Sequence, residues 1–120
     1  MISKIESFKE EFALRSVSRK VTHMKNLKQI QKVLASSKAE LRKLYNVQSL
    51  GIFGSYARGE QKKTSDLDVL VKFNSNASLF DFVGLGNHLE ELLGMKVDIV
   101  SERGLRPELK SNILKGVAKV

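Results

Sequence analysis

Residues 54–68, with the sequence GSYARGEQKKTSDLD, decide the fold and the chemistry of this chain. The stretch opens with Gly54 and Ser55, and after ten intervening residues it closes with Asp66 and Asp68. The apolar residues before it, VQSLGIF, predict a short buried strand. The alternating sequence DLDVLVKF, which begins at Asp66, predicts a second strand. The stretch therefore joins two strands, and its two ends carry polar groups that can meet at one site.

The two aspartates are predicted to point the same way. Residues two apart on a strand project from one face, so the carboxylates of Asp66 and Asp68 should lie together. Two carboxylates about 4 Å apart repel each other by roughly 4 kcal/mol at an effective dielectric of about 20. A cation or a shared proton relieves that repulsion. Hard oxygen ligands suit Mg²⁺, which commonly binds one or two carboxylates together with substrate phosphates.

A third acid, Asp98, is predicted to join this pair. In the sequence KVDIVS it lies between Val97 and Ile99. These two apolar residues should face the core of a third short strand, which leaves Asp98 on the opposite face. If this strand lies beside the Asp66–Asp68 strand, three acids converge. Such an acid can bridge two metal ions or accept the proton of an attacking hydroxyl, and two ions stabilise an in-line phosphoryl displacement.

The Gly54-Ser55 pair is placed to hold phosphate. Glycine allows a phosphate to approach the backbone, and the amides of a helix N-terminus and a serine hydroxyl can donate hydrogen bonds to it. We predict a short helix or turn after this pair. Arg58, Lys62 and Lys63 bring positive charge nearby for a triphosphate.

Each of these features also has an ordinary structural interpretation. A pair of aspartates often flanks a turn, Asp98 could pair with a lysine, and Arg58 could form a structural salt bridge. Ser65 is typical of a turn or cap. His23 and His88 lack a second His or Cys at ligand spacing, so we do not expect either to bind metal. The occurrence of all the motifs together, each in register with a predicted strand, favours a catalytic site.

The rest of the chain predicts an α/β domain with a single small mixed sheet and helices packed on it. Helices are predicted over 27–45, over 78–94 with Ser78 as N-cap, and over 107–120 beginning at Pro107. The domain is expected to comprise residues 25–120. Residues 1–24 form an N-terminal extension whose place in the natural protein, which could instead start at Met24, is left open.

Composition narrows the class of protein. With 120 residues there is room for one domain, and the absence of cysteine excludes disulfides, thiolate catalysis and Cys-ligated zinc. No apolar run approaches the roughly 20 residues that span a bilayer, and no signal peptide is present, so we expect a cytoplasmic protein. The net charge is +8 and is concentrated in residues 25–46. We interpret that basic helix as a solvated face and do not expect direct nucleic-acid binding.

The motif G-S-Y-A-R-G…S-D-L-D-V-L-V, followed by Asp98, resembles the DNA polymerase beta-type nucleotidyltransferase superfamily, and within it the minimal nucleotidyltransferases (MNT). The resemblance runs from about Leu27 to the C-terminus. It implies the polymerase beta-like fold and a nucleotidyltransferase activity with ATP as donor and two Mg²⁺ ions. It further implies triphosphate binding and metal coordination by the residues of the motif. These are Gly54 and Ser55 for the triphosphate and Asp66, Asp68 and Asp98 for the metals, with Arg58 and Ser65 as further candidates for nucleotide binding.

The resemblance also implies a partner. It implies that such a short protein pairs with a helical HEPN toxin. The MNT protein would then be the antitoxin, which transfers AMP from ATP onto a tyrosine of the toxin. Two alternatives remain open, a binding antitoxin without catalysis and nucleotidyl transfer to a small-molecule hydroxyl. A DxD glycosyltransferase is disfavoured because those folds are about twice as long. The sequence leaves the nucleotide, the acceptor and a homo-oligomeric state open.

Overall fold

The computed structural model describes residues 26–120. The predicted N-terminal extension, residues 1–24, lies outside the described residues, as does His23. The elements follow one another as α1 (Leu27–Tyr45), β1 (Val47–Phe53), α2 (Ser55–Arg58), β2 (Leu67–Phe73), α3 (Leu79–Leu93), β3 (Val97–Ser101), a 3₁₀ turn (Glu102–Gly104), α4 (Pro107–Lys115) and β4 (Ala118–Lys119). The predicted α/β architecture is confirmed.

The sheet is mixed. Its four strands lie in the order β3-β2-β1-β4. β1 pairs antiparallel with β2 and with β4, whereas β2 and β3 run parallel. Because β2 and β3 are parallel, α3 must carry the chain back from the end of β2 to the start of β3, as a crossover helix does.

The first helix has well-defined ends. The Asn26 side chain accepts a hydrogen bond from the backbone of Gln29, whose side chain accepts one from Asn26 N–H, at 2.9 and 3.0 Å. This reciprocal pair satisfies two donors at the N-terminus of α1. The helix ends at Asn46, which adopts a left-handed conformation with φ of 56°. Asparagine tolerates this conformation better than most residues, so the chain turns here into β1.

Helices α1 and α3 cover one face of the sheet and form the core with it. The buried side chains of this core come from α1 (Ile30, Leu34, Leu41), β1 (Val47, Leu50, Ile52), β2 (Leu67, Val69, Val71), α3 (Leu85, Leu89, Leu93) and β3 (Val97), with Tyr56 of α2. Strand residues between these positions project from the other face. Asp68 and Asp98 are among them, so the core orients both acids away from α1 and α3.

The two helices meet closely at the end of α1. A hydrogen bond of 2.9 Å joins the Tyr45 hydroxyl to Nδ1 of His88, and the two rings pack edge to face. A β-carbon on Gly84 would overlap with the ring of Tyr45, so glycine permits this approach. Next to it, Asn46 Nδ2 donates to Asp81 Oδ2 at 3.0 Å. These contacts fix α3 against α1 at the end of the sheet where β2 finishes.

Three details differ from the sequence predictions. β2 begins at Leu67, so Asp66 lies just before the strand. Alternation along β2 places Leu70 on the face of the aspartates, where an exposed side chain is expected, but Leu70 is only 5% exposed. Leu70 lies opposite Gly51 of β1, and the 3₁₀ turn after β3 contacts β2. The last helix ends at Lys115 rather than continuing to residue 120, and Ala118–Lys119 form β4.

Within residues 26–120, none of the helices is both long and apolar enough to cross a membrane.

Candidate nucleotide and metal site

The parallel pairing of β2 and β3 brings two of the predicted acids together. Asp68 and Asp98 are direct partners in this pairing. Residues opposite each other on neighbouring strands share a face, so both carboxylates project from the face that α1 and α3 leave free. Asp98 is exposed and Asp68 is half-buried. The predicted proximity of the Asp98 strand to the Asp66–Asp68 strand is confirmed.

Asp68 lies at the electrostatic centre of the cluster. Burial raises its pKa above the ordinary value of a carboxyl group, and the negative charges of Asp98 and Asp66 raise it further. The positive charge of Arg58 lowers the pKa and only partly offsets these effects. A carboxylate held among like charges is stabilised by a cation. The arrangement thus creates a demand for positive charge at Asp68.

Gly54 packs directly against Asp68. It has φ of 74° and ψ of −148°, a conformation that is essentially restricted to glycine. A β-carbon at this position would overlap with Oδ2 of Asp68. The sequence suggested that glycine leaves space for a phosphate. In the structure the group that occupies this space is the Asp68 carboxylate, so Gly54 is needed to place the acid.

Ser55 begins the single-turn helix α2, directly after Gly54. The turn is held by backbone hydrogen bonds from Arg58 N–H to Gly54 O and from Glu60 N–H to Ser55 O, at 3.2 and 2.9 Å. The Arg58 guanidinium forms an exposed ion pair with Glu60 at 3.0 Å, while its charge also acts on Asp68. Arg58 is therefore close enough to Asp68 for its charge to act on that carboxyl, and its guanidinium is paired with Glu60.

The loop between α2 and β2 contains the remaining candidate. The hydroxyl of Ser65 accepts a hydrogen bond from Lys62 N–H at 2.8 Å, and Ser65 N–H donates to Lys62 O at 3.0 Å. Ser65 thus closes the turn that leads into Asp66, and nucleotide binding by this residue stays a prediction. The same loop contains Gln61, whose Oε1 is buried and unpaired. No motif drew attention to Gln61, because an unsatisfied acceptor becomes visible only in three dimensions.

The residues fit a metal ion in part. Among the described residues, no three His, Cys, Asp or Glu side chains are grouped closely enough to hold an ion by themselves. The three predicted acids therefore do not form a ready-made three-carboxylate cage. The Asp68–Asp98 pair is nevertheless the donor set that Mg²⁺ accepts when phosphate oxygens supply the other ligands. Burial and the charges of Asp98 and Asp66 raise the pKa of Asp68, and a nearby cation would offset part of the cost of its ionisation.

Much of the chain matches a known protein family. The family model described as "Nucleotidyltransferase domain" matches residues 34–120, which include both strands that carry the acids. The chain belongs to the nucleotidyltransferase domain family. The predicted membership of the nucleotidyltransferase superfamily is thereby confirmed, and the protein is an enzyme of the nucleotidyltransferase class.

Individual relatives agree with the family. The protein adenylyltransferase MntA of Thermococcus cleftensis is 41% identical over 97 residues, which are 81% of this chain and 98% of the relative. A solved structure described as a candidate minimal nucleotidyltransferase matches with a TM-score of 0.68 and 39% identity, over 82% of this nucleotidyltransferase and 99% of that chain. The predicted polymerase beta-like fold and the minimal size class are confirmed.

A more distant structure shares the fold. The complex of a tri-AMPylated HEPN toxin of Shewanella oneidensis with its MNT antitoxin matches with a TM-score of 0.53 and 20% identity. The match covers 74% of this nucleotidyltransferase and 70% of that chain. At this identity the similarity concerns the fold alone.

Proposed function

We propose that this nucleotidyltransferase transfers AMP from ATP to a hydroxyl group of a partner protein in a Mg²⁺-dependent reaction. We further propose that the partner is a helical HEPN-type toxin and that the chain acts as its antitoxin in the cytoplasm. In this proposal Asp66, Asp68 and Asp98 hold the metal ions. Gly54, Ser55, Arg58 and Ser65 form the surroundings of the triphosphate.

The observation that carries the proposal is the register of Asp68 with Asp98 on the uncovered face of the sheet. Structural acids are normally paired with cations or hydrogen-bond donors, whereas Asp68 is surrounded by two further acids. Such an arrangement costs stability in the absence of a ligand. Perturbed carboxylates of this kind are characteristic of functional sites. The nearby Arg58 adds the positive charge that a triphosphate needs.

The similar proteins support the acceptor and the partner. The MntA relative is named a protein adenylyltransferase and is covered over 98% of its length, so the two chains share a complete domain. The Shewanella complex contains an AMP-modified HEPN toxin bound to an antitoxin of the same fold. A domain of this size positions ATP but has little surface left to enclose an acceptor. A separate protein would therefore supply the hydroxyl.

Each residue would contribute to one in-line displacement. Mg²⁺, when bound, would neutralise phosphate charge and orient the α-phosphate. Asp68 would be the ligand nearest the β1–β2 side, fixed by its contact with Gly54. Asp98, which is more exposed, would face the incoming hydroxyl. Arg58 would exchange Glu60 for the phosphates, as a guanidinium readily does.

The test is transfer measured by intact mass. The purified protein is incubated with Mg²⁺ and ATP, with and without the protein encoded by the adjacent gene. We expect one or more AMP units on the partner, and slow or undetectable transfer to free tyrosine. The variant Asp66→Ala with Asp68→Ala should reduce the rate by roughly a thousandfold or more.

The control is Asp81→Asn, which changes an aspartate at the opposite end of the sheet and should retain the transfer rate. The binding-antitoxin alternative predicts a different result. If the double variant neutralises the toxin as well as the wild type, and the toxin never gains mass, the proposed enzymatic role is wrong.

A further inference from the structure

β3 is a terminal strand of the sheet and carries Asp98. Within residues 26–120, no other strand pairs with its outer side. The edge is therefore continuous with the candidate site. An unpaired edge presents backbone N–H and C=O groups that can pair with another chain.

The outward groups of this edge can be assigned. Leu67 N–H donates to Lys96 O at 2.9 Å, so Lys96 directs its carbonyl towards β2. Directions alternate along a strand, so Asp98 also faces β2 with its backbone, whereas Val97 and Ile99 face outward. An independent contact agrees, since Val97 N–H donates to the Glu90 carboxylate at 3.1 Å. Glu90 thus occupies the first outward donor, and Ile99 provides the next one.

The opposite edge of the sheet is protected differently. There β4 has two residues, and side chains of α1 bind carbonyls next to it. Gln31 Nε2 donates to Lys119 O at 3.0 Å, and Lys38 Nζ donates to Val120 O at 2.9 Å. In β3, neither proline nor lysine interrupts Val97–Ser101. Edges that must not pair commonly contain such residues. Of the two edges, the one beside the acids is the more open.

We propose that the outer edge of β3 binds an extended segment of the acceptor protein as an additional strand, with a hydroxyl-bearing residue opposite Asp98. The inference rests on the proposed function and adds to it how the acceptor is presented. A residue directly opposite Asp98 projects from the same face, with its β-carbon about 4.5–5.5 Å away in an antiparallel pair. Main-chain hydrogen bonds would supply affinity with little demand on sequence. Because the Glu90 carboxylate occupies Val97 N–H, the first outward donor open to the segment is Ile99 N–H.

The transfer exchanges one phosphorus–oxygen bond for another. The acceptor oxygen forms a bond to the α-phosphorus of ATP, and the bond from that phosphorus to the bridging oxygen breaks. Pyrophosphate leaves with the electron pair of the broken bond. The hydroxyl proton passes to water. Strand pairing contributes by holding the hydroxyl near the α-phosphorus, and positioning of this kind supplies a large part of catalytic rate enhancements.

The experiment uses the full chain with Mg²⁺, ATP and short host peptides that alternate threonine and valine around one central tyrosine. Two matched peptides are N-methylated. One has methyl groups on the two neighbours of the tyrosine, and the other has them on the tyrosine and on the residues two positions away. In an antiparallel pair only the first set faces β3, so that peptide should react at least tenfold more slowly by intact mass. The reverse order would indicate a parallel strand and also support edge pairing.

Two results overturn the inference. One is equal modification of both methylated peptides, and the other is no modification of any peptide while ATP still binds. Calorimetry of Mg²⁺-dependent ATP binding on the same sample separates the two proposals. A loss of ATP binding contradicts the proposed function itself. Intact ATP binding together with transfer that ignores the methylation pattern contradicts only the edge.

Discussion

Asp68 lies near the start of β2, and Asp81 lies in α3 near the end of β2. Their surroundings shift the pKa values of the two carboxyl groups in opposite directions. Asp81 accepts hydrogen bonds from Ser78 N–H and from the Asn46 side chain, at 2.9 and 3.0 Å, and these bonds lower its pKa. Burial raises the pKa of Asp68, and the negative charges of Asp98 and Asp66 raise it further. One aspartate stabilises the folded chain by being ionised. Ionisation of Asp68 instead costs stability, and a bound cation would offset that cost.

Under the proposed function, this difference separates an aspartate that stabilises the fold from one that would take part in the chemistry. The sign of each effect follows from linkage. Ionised Asp81 contributes stability above the pKa of the unfolded chain, and this contribution is lost as pH falls through its lowered pKa. Ionised Asp68 costs stability above its raised pKa, and this cost is relieved as pH falls. Acidification should therefore remove the stabilising contribution of Asp81 and relieve the destabilising contribution of Asp68.

The largest effect should come from Gly54→Ala. The new side chain would meet Asp68 and would force a conformation that L-residues avoid. We expect a loss of at least about 2 kcal/mol in the free energy of unfolding and loss of transfer. Urea denaturation and the mass assay measure both. The matched control is Gly59→Ala, since Gly59 also has positive φ, at 71°, but nothing lies within 4 Å of the added β-carbon. Equal effects of the two variants would refute the role assigned to Gly54.

The second prediction concerns the replacement of Asp68 and of Asp81, one near each end of β2, by the isosteric asparagine. Asp68→Asn should leave the melting temperature of the metal-free protein unchanged or higher, because it removes repulsion, while it abolishes transfer. Asp81→Asn should lower the melting temperature and retain transfer. Scanning calorimetry at neutral pH and again at acidic pH checks the sign, since both differences should shrink on acidification. A destabilised Asp68→Asn would mean that Asp68 is a structural residue.

Magnesium should distinguish the two ends without any assay of activity. Binding to the folded state alone stabilises it by about 1.4 kcal/mol at ten times the dissociation constant. We expect Mg²⁺ to raise the melting temperature of the wild type and of Asp81→Asn. It should leave that of Asp68→Asn unchanged, and ATP should enlarge the difference. An equal response of all three proteins would argue against a metal at the acids.

The smallest effect is expected at Asn46. Asn46→Gly keeps the left-handed conformation but removes the hydrogen bond to Asp81, and should cost about 1 kcal/mol. Asn46→Ala should cost more, because it adds backbone strain to the lost bond. Thermal unfolding of the two variants separates the cost of the lost hydrogen bond from the cost of the backbone strain. Transfer per folded molecule should stay at the wild-type rate in both.

The sequence was informative where one local pattern determined the structure. Alternation around Asp68 identified β2 and the face of its side chains, and Val97 and Ile99 located β3 and the orientation of Asp98. The two caps of α3 could also be predicted from the sequence, since Ser78 precedes the helix and Gly94 ends it in a left-handed conformation. These features depend on residues close together in the chain.

Features that depend on distant contacts were missed. β4 has two residues and is defined only by its pairing with β1, so its sequence could not be distinguished from the end of a helix. Leu70 is buried although it alternates with the core residues of β2, which alternation along one strand cannot reveal. The contact of Gly54 with Asp68 likewise joins two strands. The candidate site was predicted as a set of residues, but the reason for its glycine was not.

The tyrosines provide built-in optical probes of the two ends. The chain has two tyrosines and no tryptophan. Tyr56 is 1% exposed and belongs to the turn that follows Gly54, whereas Tyr45 is bonded to His88 beside Gly84. The tyrosine band of the near-ultraviolet spectrum therefore has one contributor beside the candidate site and one at the junction of α1 with α3. Replacing Tyr45 with phenylalanine would leave Tyr56 as the single tyrosine, and events near the acids could then be followed in the tyrosine band without adding a label.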